Sequence, residues 1–242
     1  MPLYLRNPHS VLAALEQRPE DVFEIRLPER GTNEPWERVR KAARVVGTSI
    51  VAPKPARGGK RKEGGGGRSS ETEAVVKERP DCDLSEVLGE GQDNTKGLWV
   101  AIDTVQDPRN LGSIFRSAAF FGVKGMVLSR DRTAPLSSIT YDVASGGLEH
   151  VPFATVPNLS RTLDEAKERG LWILGASEHA DTAIDDVMPD RAWMLALGNE
   201  ETGLRRLTIE KCDVVFGIPS LGPIPSLNVS VAAGICIQKL TA

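Results

Sequence analysis

From Leu98 onward, short apolar runs alternate with amphipathic segments, and this alternation constrains the fold more than any other feature of the chain. Leu98–Ile102, Met126–Ser129, Leu171–Gly175, Trp193–Leu197 and Val214–Ile218 read as strands. Leu111–Phe121, Leu159–Arg169 and Val229–Leu240 read as helices. Strands that are apolar on both faces need cover on both faces, so the pattern predicts an α/β fold with a parallel sheet between helices.

The front of the chain reads differently. Pro8–Arg18 and Trp36–Val46 have helical spacing, while Val22–Leu27, Thr48–Ala52 and Ala74–Val76 are strand candidates. These define a small α/β unit within residues 1–80, a linker over 81–97 and a larger domain over 98–242. Inside the first unit lies RGGKRKEGGGGR, residues 57–68, with six Gly, five basic residues and one Glu. Without an apolar side chain nothing offsets its ordering entropy, so a flexible segment is expected there. Residues 1–80 carry 16 Lys and Arg against 11 Asp and Glu, whereas 81–242 carry 14 against 22. A basic front on an acidic back is compatible with a polyanionic partner and equally with uneven surface composition.

Several function classes are excluded. A hydrophobic content of 40% is too high for a mainly disordered chain. The longest apolar stretches, such as Val231–Ile237, fall far short of the roughly 20 residues that span a bilayer. MPLYLRNPHS lacks a signal layout, and a cytoplasmic protein with no membrane partner is expected. Cys82, Cys212 and Cys236 have no close pairing, and His9, His150 and His179 have no ligand spacing, so no metal is expected. G-x-G-x-x-G after a strand, G-x-x-x-x-G-K-[ST] and G-x-S-x-G are all absent.

Three polar loops follow predicted strands. In DTVQDPRNLGSIFRSAAFFG, Asn110 suits the N-cap of a helix whose apolar stripe is Leu111, Ile114, Phe115 and Ala118. Arg116 lies off that stripe, either as a solvated side chain or as an anion contact. In LALGNEETGL, Gly198 permits close approach of a ligand to the backbone, with Asn199, Glu200 and Gly203 following; an ordinary polar turn has the same composition. In IPSLGPIPSLNVSVAAG, three prolines and Gly222 build a rigid crossing to Ser226 and Asn228 at the mouth of the last helix. Either of those two residues suits a cap.

Together the loops resemble the three motifs of the SpoU (TrmH-type) RNA ribose 2′-O-methyltransferases. Asn110, Gly112 and Arg116 fit N-x-G-x-x-x-R. Gly198, Asn199, Glu200 and Gly203 fit G-N-E-x-x-G. Ile218, Pro219, Ser226, Leu227, Asn228, Val229 and Ser230 fit I-P…S-L-N-V-S. The similarity covers about 98–242. More weakly, PHSVLAALEQRPEDVFEIRL resembles the start of the small RNA-binding domain of the ribosomal RNA guanosine methyltransferases in that family. Those proteins carry a His-Gln-Gly segment near the end of the domain, where this chain has SSETEAVVKERP.

The resemblance implies a SPOUT domain with a C-terminal trefoil knot, S-adenosyl-L-methionine as cofactor, RNA as substrate and a homodimer. It implies methylation of a ribose 2′-hydroxyl, of a guanosine in 23S-type ribosomal RNA, by in-line attack on the sulfonium methyl. It places Gly198, Ile218 and Leu227 at the cofactor, and Asn110, Arg116, Glu200, Ser226 and Asn228 around the reacting hydroxyl. Guanidinium groups stay protonated, so Arg116 is expected as a phosphate and oxyanion clamp and not as a base. A transfer RNA methyltransferase of the same family, or an RNA-binding relative without catalysis, are the alternatives.

Overall fold

The structure, a computed structural model, describes residues 2–53, 72–89 and 96–241. The basic glycine-rich segment 57–68 lies outside the described residues.

The front unit is a four-stranded sheet ordered β1-β4-β2-β3, from β1 (Pro2–Leu5), β2 (Val22–Arg26), β3 (Ile50–Val51) and β4 (Glu73–Lys77). Only β2 and β3 run parallel. Helices α1 (Pro8–Gln17) and α2 (Glu34–Val46) both begin as Asn-capped elements. Asn7 accepts from His9 N and Asn33 from Trp36 N, with a proline inside each first turn. The expected strand over Thr48–Ala52 shortens to Ile50–Val51, and β1 was not anticipated.

Residues 81–89 carry α3 (Leu84–Val87), which is packed and not free: Trp99 Nε1 donates to Val87 O at 2.8 Å, and Cys82 N to Phe153 O at 2.8 Å.

The second sheet has seven parallel strands in the order β7-β6-β5-β10-β8-β11-β9. They are β5 (Gly97–Ile102), β6 (Gly125–Ser129), β7 (Phe153–Val156), β8 (Trp172–Ala176), β9 (Thr182–Ala183), β10 (Ala192–Leu197) and β11 (Val214–Gly217). The helices are α4 (Pro108–Phe121), α5 (Ser138–Ala144), α6 (Gly147–His150), α7 (Leu159–Glu168), α8 (Arg206–Ile209) and α9 (Val229–Thr241). The α/β class and the parallel sheet read from the sequence are present. Strand β5 shows why: Leu98, Val100 and Ile102 enter one apolar cluster, Trp99 and Ala101 the other.

The first cluster also contains Leu5, Val11 and Leu15, so the front unit shares a core with α4 and β7. Polar contacts fix the same junction. The Arg18 guanidinium is bidentate on Glu149 at 2.8 and 2.8 Å, Ser10 Oγ donates to Tyr141 O at 2.6 Å, and Asp142 Oδ1 accepts from the backbone of Arg6 and Asn7 at 2.9 Å each.

From β5 the chain steps outward to β6 and β7, but β10 and β8 lie on the other side of β5. An order reversal of this kind opens a crevice at the carboxyl ends of the strands. Ile102 pairs with Leu197 across it, so the loops that begin at Asp103 and Gly198 start side by side.

Candidate functional site

The first of these loops leads into α4. Asn110 is not the N-cap expected from the sequence. Asp107 caps, accepting from Arg109 N at 2.8 Å, and Pro108 takes the first helical position, where its missing N–H costs nothing. Asn110 therefore lies in the first turn with its amide free for tertiary contacts. It donates to Glu200 Oε1 at 2.8 Å and accepts from Asn228 Nδ2 at 3.1 Å. Asn228 does cap α9, its Oδ1 accepting from Ser230 N at 2.9 Å and from Ser230 Oγ at 2.6 Å. One short amide thus starts a helix and joins a chain of polar groups that links all three loops.

The loop after β10 is a tight bight. Asn199 N and Gly203 N each bond the other's carbonyl, at 2.9 and 3.0 Å. Asn199 Oδ1 gathers Glu201 N and Thr202 N, while its Nδ2 reaches Thr104 O at 3.1 Å. The returning chain passes so close to Gly198 that a Cβ there would lie 2.2 Å from Gly203 C, and Gly203 itself has φ +67°. Both glycines are therefore required by the bight.

Two clefts meet at this bight. The larger, about 630 Å³, is lined by Gly198, Ile218, Ser226 and Leu227, with Leu197, Phe216, Val229 and Cys236 as apolar walls. Burial pushes the Cys236 thiol up to about 12, so this wall stays uncharged. The smaller cleft, about 540 Å³, is polar and lined by Thr104, Gln106, Asn110, Arg132 and Arg205 among others. Residues Asn199 to Thr202 line both.

Of the residues singled out in the sequence, Gly198, Ile218, Ser226, Leu227 and Glu200 line the larger cleft, and Asn110 and Glu200 line the smaller. Arg116 is not brought to either. It is exposed on α4, its guanidinium without a hydrogen bond or ion pair to any described residue, one turn before Phe120, which is 82% exposed. The sequence reading missed Asp103, Arg132 and Arg205. Asp103 had a signal, as the first charged residue at the end of an apolar strand; the two arginines had none. Among the described residues no cluster of three or more His, Cys, Asp or Glu side chains is placed to hold a metal, and no helix is long and apolar enough to cross a membrane.

The SpoU rRNA Methylase family matches residues 97–238. The chain belongs to this family. Among SpoU relatives, the 23S rRNA (guanosine-2′-O-)-methyltransferase RlmB of Nitrosomonas europaea is 37% identical over 97% of this chain and 89% of that protein. RlmB of Coxiella burnetii is 32% identical over 96% of this chain and 92% of its own. The SpoU methyltransferase AviRb from Streptomyces viridochromogenes, solved in complex with the cofactor AdoMet, superposes with a TM-score of 0.80 at 24% identity, covering 99% of this chain and 89% of that one. The SpoU similarity thus extends through the front unit and is not confined to the sheet that carries the clefts.

Proposed function

We propose that this chain is an S-adenosyl-L-methionine-dependent RNA methyltransferase that methylates the ribose 2′-hydroxyl of a guanosine in 23S-type ribosomal RNA. The observation that carries this reading is the hydrogen-bonded chain Asn228–Asn110–Glu200, which stands where an apolar cleft and a polar cleft share a wall. The full-length RlmB relatives support the substrate.

The larger cleft fits the cofactor. Its size lies in the range of small-molecule sites, and the tight bight that Gly198 permits forms its wall beside Ile218 and Leu227. When bound, S-adenosylmethionine supplies an electrophilic methyl group on a sulfonium that leaves as a neutral thioether. Gly198, Ile218 and Leu227 hold it, and the apolar wall of Phe216, Val229 and Cys236 excludes water.

Asn110, held between Asn228 and Glu200, fixes the Glu200 carboxylate as an acceptor for a ribose hydroxyl. A hydroxyl that donates to a carboxylate keeps a lone pair free to attack carbon. Ser226, exposed at the rim, adds a hydroxyl within the same loop cluster. Because the three loops are bonded before substrate arrives, little reorganisation is left for the transition state.

The working assembly is a homodimer, a cytoplasmic one, built through the outer faces of α4 and α9. Phe120, Val231 and Ile235 are exposed there, at 82, 51 and 40%. Arg116 shares the Phe120 face of α4 and serves as the phosphate and oxyanion clamp from that interface. In this reading 1–80 is the RNA-binding unit, 81–97 joins it to 98–242, and the loops from Gly198 to Asn228 form the trefoil knot of a SPOUT domain.

The test is to map ribose methylation in total RNA from cells with and without the gene. One 2′-O-methylguanosine in large-subunit ribosomal RNA should disappear with the gene. An unchanged ribosomal map would overturn the proposal.

A further inference from the structure

The smaller cleft has its own preorganised cation. Asp103 is fully buried, and its carboxylate accepts Arg205 Nε at 2.5 Å, Arg205 N at 3.0 Å and Thr208 Oγ1 at 2.7 Å. A buried carboxylate is tolerated when paired and hydrogen-bonded in this way. Arg205 Nη2 donates to Ser129 Oγ at 3.0 Å. The guanidinium is thus gripped at Nε and Nη2, while the rest of its fork of five N–H groups, with Nη1 3.7 Å from the exposed Asp131, borders the cleft.

The floor around it is equally fixed. Ala134 N donates to Val105 O at 2.8 Å and Asn199 Nδ2 to Thr104 O at 3.1 Å, tying the ends of β5, β6 and β10 together. Thr104 and Arg132 both sit at positive φ, +70° and +58°, a conformation that non-glycine residues rarely adopt. Three such residues occur among the described ones, and two of them line this cleft. Strain of this kind persists where surrounding structure enforces it, and it clusters at ligand-binding walls. The carboxylates of the cleft, Asp107, Glu200 and Glu201, lie at the start of α4 and on the bight after β10, while its cations, Arg132 and Arg205, come from the loop after β6 and the start of α8.

We infer that this cleft is the pocket for the target nucleotide, with its phosphate on Arg205 and Arg132 and its ribose toward Asn110 and Glu200. The inference rests on the methyltransferase reading above and adds the residues that hold the RNA in register with the cofactor cleft. A forked guanidinium held at one edge is suited to phosphate oxygens, and an exposed second arginine adds charge without fixed geometry. At about 540 Å³ the cleft has room for one nucleotide.

The test uses the full chain, S-adenosylmethionine and in vitro transcribed 23S ribosomal RNA. Arg132→Gly removes the side chain at a backbone conformation that glycine prefers, so folding is not at risk. Arg205→Lys keeps a cation on Asp103 but loses the fork. Each variant should raise KM for RNA on the order of 10-fold, as expected for a lost charge-assisted phosphate contact. Arg132→Gly, which removes a charge, should lower the slope of log affinity against log salt by about 0.7, while Arg205→Lys, which keeps one, should leave it at the wild-type value. Calorimetric affinity for S-adenosylmethionine should stay at the wild-type value. Wild-type RNA KM in both folded variants, with a wild-type salt slope in Arg132→Gly, would overturn the pocket while leaving the methyltransferase reading intact. A wild-type protein that methylates no RNA would overturn both.

Discussion

Asn110 and Glu200 stand ninety residues apart in the chain, and the Asn110 amide donates to Glu200 Oε1 at 2.8 Å while accepting from Asn228. That single amide locks the first motif loop to the second and the third. It can do so because Asp107, three residues earlier, has taken over the capping of α4.

The amide chain separates chemistry from folding. Asn228→Ala deletes the α9 cap, so stability should fall by about 1–2 kcal/mol. Methyl transfer should fall on the order of 100-fold, because Asn110 then loses one of the two groups that orient it toward Glu200. Urea unfolding beside single-turnover kinetics checks both, and equal small losses would reduce Asn228 to a cap.

Gly198→Ala places a methyl group against the backbone of Gly203, at 2.2 Å before relaxation. The bight must open. Overpacking of this order costs about 1–3 kcal/mol, and it disturbs the wall shared by both clefts, so cofactor binding should weaken with it. Thermal unfolding with and without S-adenosylmethionine reads both effects; an unchanged thermal shift would contradict this placement of the bight.

The buried Arg18–Glu149 pair holds the front unit to α6, with side chains 8 and 1% exposed. Glu149→Ala leaves the guanidinium with Asp21 and the Lys77 carbonyl only, and removing one partner of a buried pair costs about 3–5 kcal/mol. The chemical denaturation midpoint should drop accordingly. No change would mean that the junction is solvated.

Asp142 gives a pH signature at the same junction. Burial raises its pKa, opposed in part by the Asn7 and Arg6 backbone N–H groups. An acid whose folded pKa is raised binds more protons folded than unfolded, so its contribution to stability grows as pH falls through the carboxylate range. Asp142→Asn keeps an acceptor for both N–H groups and removes the buried charge. The variant should therefore be the more stable protein at pH 8, with the gap closing as pH falls through that range. A gap independent of pH would contradict the assignment.

Two of the three thiols should be inert. Burial pushes Cys212 up to about 11 and Cys236 up to about 12, so neither forms appreciable thiolate at pH 8. Mass spectrometry after iodoacetamide treatment should find both unmodified in the native protein and alkylated in urea. Native labelling of Cys236 would show that the apolar wall of the larger cleft opens.

Local periodicity explains what the sequence disclosed. Five strands of the second sheet, β5, β6, β8, β10 and β11, follow from apolar spacing together with α4, α7 and α9, whereas the short β7 and β9 do not; the three loops with Asn110, Gly198, Glu200, Ile218, Ser226, Leu227 and Asn228 follow from motif spacing. Long-range pairing explains what it withheld. Strand β1 is four residues whose partner β4 lies beyond the glycine-rich insert, so no local pattern marks it. The cap at Asp107 is signalled by Asp-Pro, but Asn110 three residues on has the same capping chemistry. Arg205 and Arg132 matter only because β5, β6 and α8 converge, which no window of sequence reveals. Arg116 shows the opposite case: its motif spacing fits, yet it stands away from both clefts on the outer face of α4.

The central claim is that the Asn228–Asn110–Glu200 chain directs a methyl group onto a ribose oxygen of RNA. The most direct measurement is nucleoside mass spectrometry of in vitro transcribed 23S ribosomal RNA after single turnover with methyl-labelled S-adenosylmethionine. Wild-type protein should yield label in 2′-O-methylguanosine alone, and Asn110→Ala should suppress it while still binding the cofactor. Label on a base, or full labelling by Asn110→Ala, would contradict the account.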